Sequence, residues 1–481
     1  MRKNMSCHDV VLGLFSFVPA SFVRFKKLLG VCLVALVAWS LALTAERCWA
    51  QFGGGGGGLG NQAVGGISID ADGIVQNLDP RALESLAEER RRLLADAPAP
   101  NGKSSKLRKV SLSRLVAAAE QFVATGKPLS PEVLFLGGLE RITHLFVDPD
   151  GHDIILAGPA GTATIDPAGN IVNAASGRPL LQLEDLVVAM RAIDKARAGG
   201  MRCSIDPTPE GLVKLQAFLK SQKTIGNDPS ATLRSMETVL GPQNVTVGGV
   251  PGGSRFARVL VAADYRMKRI GMGLEASGIK ELPSYLSMLS STNQASLPRF
   301  WLEASYDPIA RDPDELAWRI TGRRMKCLTE NDLLGKEGVQ RGKAAGDKIA
   351  EKWCNAMTEH YEKLADKQPV FAELLNCIDL AVVAALIHGR QLDKQAGLDL
   401  GVLLDQEKMA LPVYEVPTSV PTVASGMKKG SRWIVSASGG VQFQPWEFAA
   451  NTEQMPDIAA SRTAALASRP DSKASSQWWW D

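Results

Sequence analysis

Residues 254–274 read SRFARVLVAADYRMKRIGMGL, and the fold of this 481-residue chain is read outward from them. At about 100° per residue, Phe256, Val259, Leu260, Ala263, Met267, Ile270 and Leu274 share one arc, the apolar stripe of a helix docked on a core. Arg255, Arg258, Ala262, Tyr265, Arg266 and Arg269 take the opposite arc, which is expected to face solvent. A strand is excluded, because alternation would put Arg258 on one face with Leu260 and Ala262. Ser254 suits the N-cap, and Asp264 with Lys268 makes a favourable i,i+4 pair.

Upstream, Asn244 to Val247 is a short β-branched run, and GGVPGGS follows at residues 248–254. A strand, a glycine loop and a helix start bearing arginines form an arrangement suited to anions, since unpaired amides and the helix dipole both face the loop. Gly252, Gly253, Ser254, Arg255 and Arg258 are therefore the candidate anion-binding residues. The loop lacks the GKS or GKT of a phosphate-cradling P-loop, and its glycine spacing departs from G-x-G-x-x-G. Four arginines on one helix face also fit a plainer reading, a solvated face paired with neighbouring carboxylates.

The formal charge of +3 comes from the N-terminus. Residues 1–50 hold six Lys/Arg and two Asp/Glu, which leaves 48 basic and 49 acidic side chains beyond them. A near-neutral body has no general electrostatic hold on nucleic acid, and none is expected as a partner. Arg24, Lys26 and Lys27 precede an apolar run, Leu28 to Ala45, and Cys48-Trp49-Ala50 sets small residues at the positions a signal peptidase reads. Residues 1–50 are thus expected to be a signal peptide cut after Ala50. The alternative is an uncleaved anchor, with membrane contact through residues 28–45 alone.

Residues 51–66 form a glycine-rich spacer, and residues 67–200 a region of hairpins and helices. ISIDADGIV, LFVDPDGHDII and ATIDPAGNIV each place Asp at the first position of a turn closed by a left-handed glycine. Helical spacing marks Arg81 to Ala95, Leu112 to Ala124 and Leu183 to Ala198, with Asn101 to Lys109 as an exposed loop. Residues 201–400 form a central α+β core. There, a strand at Arg202 to Ile205, helices beginning at Pro209 and Pro229, and the strand before the arginine helix suggest a βαβ-like unit with parallel pairing. PRFWLEASYDP and DELAWRITGRRMKCLTE read as two strands, the second basic at Arg319, Arg323, Arg324 and Lys326. Gly342 to Ala365 and Val370 to His388 form a helical hairpin. Residues 401–455 give an extended segment and a hairpin turning at Ser438-Gly439-Gly440, and residues 456–481 a helix and a polar tail ending in tryptophans. The fold class is α+β: a mixed sheet with hairpins, a long central amphipathic helix and a C-terminal helical hairpin.

Chemistry is harder to find. Beyond residue 50 only His144, His152, His360 and His388 offer a histidine base, and none lies near a G-x-S-x-G. Ser425 to Lys428 matches S-x-x-K, but Ser291-Thr292-Asn293 precedes it in the wrong order and no K-T-G follows. Asp148, Asp150 and Asp153 invite calcium, yet Gly151 comes too early for an EF-type loop and turn formation explains the aspartates. Cys203, Cys327, Cys354 and Cys377 form no CxxC, and Cys354 with Cys377 could bridge the helical hairpin. No metal, cofactor or catalytic residue is assigned. Trp478, Trp479 and Trp480, like Arg266 and Arg269, are candidate partner-binding residues, because exposed apolar or cationic patches mark interfaces; the equal alternative for the tryptophans is that they dock back onto the protein.

IDPTPEGL (205–212), VLVAADYRMKRIGMGLE (259–275) and YEVPTSVPTVASGMKKGSRWIVSASGGVQFQPWEF (414–448) resemble an exported, uncharacterised planctomycete family defined by a domain of unknown function. The resemblance spans Gly66 to Phe448. It implies export and one shared architecture, and it implies no activity. The residues favour a non-catalytic cell-envelope or secreted binding or structural protein, using the arginine face to hold an envelope protein or an anionic polymer. The alternative is an enzyme acting on an anionic envelope substrate at the loop Gly248 to Ser254.

Overall fold

Aspartate-led turns are the local units from which the β-structure grows. In the computed structural model, which describes residues 64–95, 103–221, 230–289, 297–335, 338–340, 348–427, 432–470 and 478–481, Asp70 Oδ1 accepts from the amides of Asp72 and Ile74. Asp166 Oδ1 does the same for Asn170, and Gly73 and Gly169 take the left-handed backbone expected of them. The turn after Asp148 differs. Its left-handed residue is His152, not Gly151, because a Cβ on Gly151 would run into the Asp148 carboxylate.

Among the described residues, the strands assemble into two seven-stranded sheets and three two-stranded ribbons. The first sheet runs, edge to edge, through Gly338–Gln340, Arg324–Gly335, Leu297–Ser305, Ser438–Phe443, Met201–Pro207, Gln243–Gly248 and Ser419–Val420. The second runs through Thr452–Gln454, Ile309–Arg311, Ala317–Arg319, His144–Asp148, Asp153–Ala160, Ser105–Ser111 and Trp479–Trp480. Each has one parallel pair, Leu297–Ser305 with Ser438–Phe443 and Ile309–Arg311 with Thr452–Gln454, and antiparallel pairs elsewhere. The chain is α+β with mixed sheets. Residues 56–481 form one compact unit, and both sheets draw strands from several of the regions marked out in the sequence.

Four expectations are corrected. Met201–Pro207 and Gln243–Gly248 pair antiparallel, not parallel. The two helices between them, Pro209–Ser221 and Ser230–Leu240, pack on each other as a two-legged return, which brings the chain back to the end it left. Ser438-Gly439-Gly440 is not a turn but the start of a central strand. Its glycines are needed because a Cβ at Gly440 would stand 1.9 Å from the Cys203 carbonyl oxygen, and one at Gly439 2.1 Å from that of Phe300. Much of the segment expected as an exposed loop, Asn101 to Lys109, belongs to the strand Ser105–Ser111, whose Arg108 is fully buried. The basic run after Asp314 splits into two strands in different sheets, turning the corner through Gly322 (φ 119°) and Arg324 (φ 70°).

The arginine helix, Arg255–Gly271, lies on the first sheet against Met201–Pro207 and Ser438–Phe443. Its cap is as expected: Ser254 Oγ accepts from the Ala257 amide at 3.1 Å. Across it packs Pro369–Gly389, apolar all round, which also touches Leu183–Ala192 and Pro445–Ala450. That helix is long and apolar enough to cross a membrane, but it is buried within the protein as a core helix. The helices Lys348–Glu359 and Tyr361–Lys367 precede it. Residues 1–50, expected to be an export segment, the expected spacer up to residue 63, residues 341–347, Ser291-Thr292-Asn293 and Lys428 lie outside the described residues.

Candidate functional site

The arginine helix does not present a cationic face. Arg255 and Arg258 are 8% and 1% exposed. Arg255 donates to Asp185 and Glu373, with Glu184 at 3.9 Å, and so joins the starts of Leu183–Ala192 and Pro369–Gly389 to its own helix. Burial works against its charge, but the carboxylates of Asp185, Glu373 and Glu184 outweigh that and hold its pKa above the ordinary value. Burial, and then the Asp185 charge, pushes Glu184 up to about 7; Asp185 itself rises to about 6, again mainly through burial. Tyr414 donates its hydroxyl to both oxygens of Glu184 at 3.2 and 3.1 Å. Arg258 donates to the Glu415 carbonyl at 3.0 Å and lies over the Tyr414 ring. Lys268 is buried too, bound to Asp264 and to the carbonyls of Ile205 and Gly439.

The expected anion loop is covered by the protein's own chain. Tyr414 N donates to the Gly253 carbonyl at 2.9 Å, and the Val416 and Val413 side chains lie against Gly252 and Gly253. Residues 413–416 therefore run beside the loop, whose Gly252 and Gly253 are half-buried, while Arg255 and Arg258 are turned to partners within the protein. Arg266 and Arg269 share the Glu275 carboxylate, and Arg266 also donates to the carbonyls of Gly65 and Gly66. A wheel places side chains by angle and is blind to what stands opposite, which is why this face read as solvated.

The terminal tryptophans are also turned inward, so Trp479 and Trp480 present no open apolar patch. Trp479–Trp480 pairs antiparallel with Lys109 and Val110, and both rings are buried while Trp478 is half-buried. Arg108 lies 4.1 Å from the Trp479 ring centroid and binds Asp481 at 2.8 Å. Trp480 joins a cluster with Phe146, Ile155 and Ala465, its ring N–H donating to the Ala465 carbonyl and the Ser468 hydroxyl.

A formed opening lies elsewhere, beside the buried helix. A cleft of about 230 Å³ is lined by Glu140, Arg141, Arg178, Arg324, Glu362 and Asn376, with Pro179 and Ala372. Asp379, three residues on from Asn376 and on the same side of Pro369–Gly389, lies under its floor. Arg324 grips Asp379 through two bonds, Nε to Oδ1 at 3.1 Å and Nη2 to Oδ2 at 2.6 Å, and Tyr306 donates to Oδ1 at 2.5 Å. Burial opposes the Arg324 charge, yet Asp379 and Tyr306 hold its pKa above the usual guanidinium value. Its left-handed backbone is costly for a non-glycine residue, and this grip is what holds it.

The other lining groups differ in how well they are satisfied. Arg178 binds Glu362 at 2.8 Å and Asp366 at 2.6 Å. Glu140 accepts from Asn173 and from Ser176. Arg141 comes no nearer to a carboxylate than 3.9 Å, at Asp379, whose oxygens Arg324 and Tyr306 already use. Its Nε is buried with no hydrogen-bond acceptor among the described residues, and its side chain is about a quarter exposed. Burial, followed by repulsion from Arg324, pulls its pKa down. None of Arg141, Arg178 and Asp379 stands out by motif. The signal available was Asp379 with Asn376 inside LLNCIDLAVVAALI, since a carboxylate within an apolar helix needs a partner. A larger groove of about 510 Å³ along Gly273 to Ser284 is shallower, and its Glu275 is already paired.

Residues 203–285 match the model of a family described as a protein of unknown function, DUF1598. The match covers the strand pair, the two-helix return and the arginine helix, and the cleft residues lie outside it. No curated protein and no solved structure matches the chain.

Proposed function

We propose that the chain is exported through residues 1–50 and acts in the cell envelope, or outside it, as a binding protein that holds a small anionic group at Arg141. One observation supports the reading above the others: an arginine whose Nε lacks an acceptor among the described residues lines a formed cleft, next to a second arginine kept in a strained backbone. A guanidinium fork accepts a planar carboxylate in two parallel hydrogen bonds, so a carboxylate borne by an envelope protein or an anionic polymer is the ligand class. The cleft's volume is at the small end for ligand sites, which suits one terminal group better than a whole metabolite. Binding fits better than chemistry, because Glu140 and Glu362 already accept from neighbouring donors. The charge of Arg24, Lys26 and Lys27 ahead of Leu28 to Ala45 supports export.

Calorimetry of the purified protein with acetate, succinate and inorganic phosphate tests the site. A carboxylate is expected to bind, and Arg141→Ala to weaken it by roughly tenfold or more with an unchanged thermal midpoint. Equal binding by the variant, or no binding to any probe, would sink the proposal. Export is tested by N-terminal sequencing of protein from envelope and culture fractions: Gln51 as first residue is expected, and full-length protein confined to the cytosol refutes it.

A further inference from the structure

The fold brings two distant cysteines together. Cys327, in the strand Arg324–Gly335, and Cys354, in the helix Lys348–Glu359, are both reduced and both buried, at 3% and 2% exposure. The two thiols are near enough to influence each other's ionisation, and the Cys327 thiol points to the Leu328 carbonyl at 4.0 Å. Thr358 fastens the same point: its hydroxyl accepts from the Cys327 amide at 2.8 Å and donates to the Cys354 carbonyl at 2.8 Å. The other two cysteines among the described residues are elsewhere. Cys203 lies in the central strand near Asp264 and Lys268, and Cys377 beside Asp185 and Arg255. The bridge that the sequence suggested, Cys354 to Cys377, is therefore not the pair the fold offers.

What such a pair can do follows from its surroundings. Burial raises the Cys327 pKa well above the ordinary thiol value, and the neighbouring Cys354 raises it further. That excludes an activated nucleophile. Among the described residues no group of three His, Cys, Asp or Glu side chains forms around a metal position. Two neighbouring thiols, on elements already tied together by the Thr358 hydroxyl, are placed to pair as the chain folds.

We propose that Cys327 and Cys354 are joined by a disulfide when the chain folds in an oxidising compartment. One thiolate attacks a small-molecule or protein disulfide, forming a mixed disulfide and releasing a thiol. The second thiolate then displaces the other half. Two S–H bonds and the oxidant's S–S bond are lost, one protein S–S bond forms, and the two electrons and two protons end on the oxidant as two thiols. Closure belongs to the folding chain, because burial suppresses the thiolate afterwards.

The bond would also staple two walls of the cleft, a consequence that rests on the proposed binding site. The strand bearing Cys327 begins at Arg324, and the helix bearing Cys354 runs through His360 into Tyr361–Lys367, which carries Glu362. In the test, the full chain is refolded from urea with and without oxidised glutathione, free thiols are alkylated, and peptides are mapped by mass spectrometry. Near-complete loss of alkylation at Cys327 and Cys354, recovery of their peptides as one linked pair, and a thermal midpoint several degrees higher than in the reduced protein are expected. In Cys327→Ser, Cys354 should become alkylated and the oxidant-dependent rise disappear. Folded protein with both thiols still alkylated, or with either linked to Cys203 or Cys377, overturns the proposal. Should the variant not fold, the wild-type comparison decides alone. Acetate binding measured on the reduced protein separates failure of the bond from failure of the binding site.

Discussion

Replacing Arg255 by Met should expose how much of the fold hangs on one guanidinium. Among the described residues, Arg255 alone donates to the Asp185 and Glu373 side chains, and one oxygen of each has no partner. Its removal strands two buried carboxylates, with Glu184 close by still bound to Tyr414. Breaking a buried ion pair by deleting one partner costs about 3–5 kcal/mol, so a loss of about 4 kcal/mol is expected at pH ~8. Set against total stabilities of about 5–15 kcal/mol, that is a large share. The loss should shrink on acidification. Glu184 and Asp185 already titrate at about 7 and about 6 in the folded protein, above the ordinary carboxyl range, because burial disfavours their charge. The folded state therefore binds more protons than the unfolded chain between pH ~4 and ~7, and this contribution to stability is full below that window and lost as pH rises through it. Without Arg255, which lowers both values, the window extends upward, and the variant's deficit should fall to about 1–2 kcal/mol near pH 5. His144 works the other way, its pKa pushed down to about 4 by burial and then Arg319, but it is common to both proteins and cancels in the difference. Urea unfolding followed by tryptophan fluorescence at the two pH values measures the effect. Adding Asp185→Asn and Glu373→Gln to the variant should restore most of the loss. A deficit below about 1 kcal/mol at the higher pH, or one independent of pH, would refute the reasoning.

Two further substitutions probe the sheets. Trp480→Ala should destabilise the terminal strand by about 3 kcal/mol, read as roughly a hundredfold faster hydrogen exchange of the Ser111 amide, which donates to the Trp478 carbonyl; unchanged exchange would mean that the tail contributes nothing to that edge. Gly440→Ala should cost at least about 2 kcal/mol in chemical unfolding, since its Cβ meets the Cys203 carbonyl; a change within about 0.5 kcal/mol would show that the central strands can part cheaply.

Local physics was readable from the sequence where a residue acts on its near neighbours. Ser254 caps its helix, and Asp70 and Asp166 close their turns, because the groups they bind lie within four residues. The arginine helix was found by its apolar stripe, but its other face was misjudged: the carboxylates that meet Arg255 stand 70 and 118 residues away. Gly439-Gly440 illustrates the same limit. Glycine serves both turns and close strand approach, and only the carbonyls of Phe300 and Cys203 decide between them. The cleft was invisible because its residues come from five separate segments, and Arg324 took its place only through the corner at Gly322. Asp379 was the one local clue, a carboxylate in an apolar helix.

The position of Ser438–Phe443 in the middle of the first sheet has a consequence for biosynthesis. While a ribosome is still making the residues before it, Leu297–Ser305 and Met201–Pro207 each lack the neighbour they will share, and the arginine helix lacks half of its floor. The second sheet waits longer still, for Trp479–Trp480 at its rim. Pairings this remote in sequence form late, so both sheets are completed only after their C-terminal strands have been made.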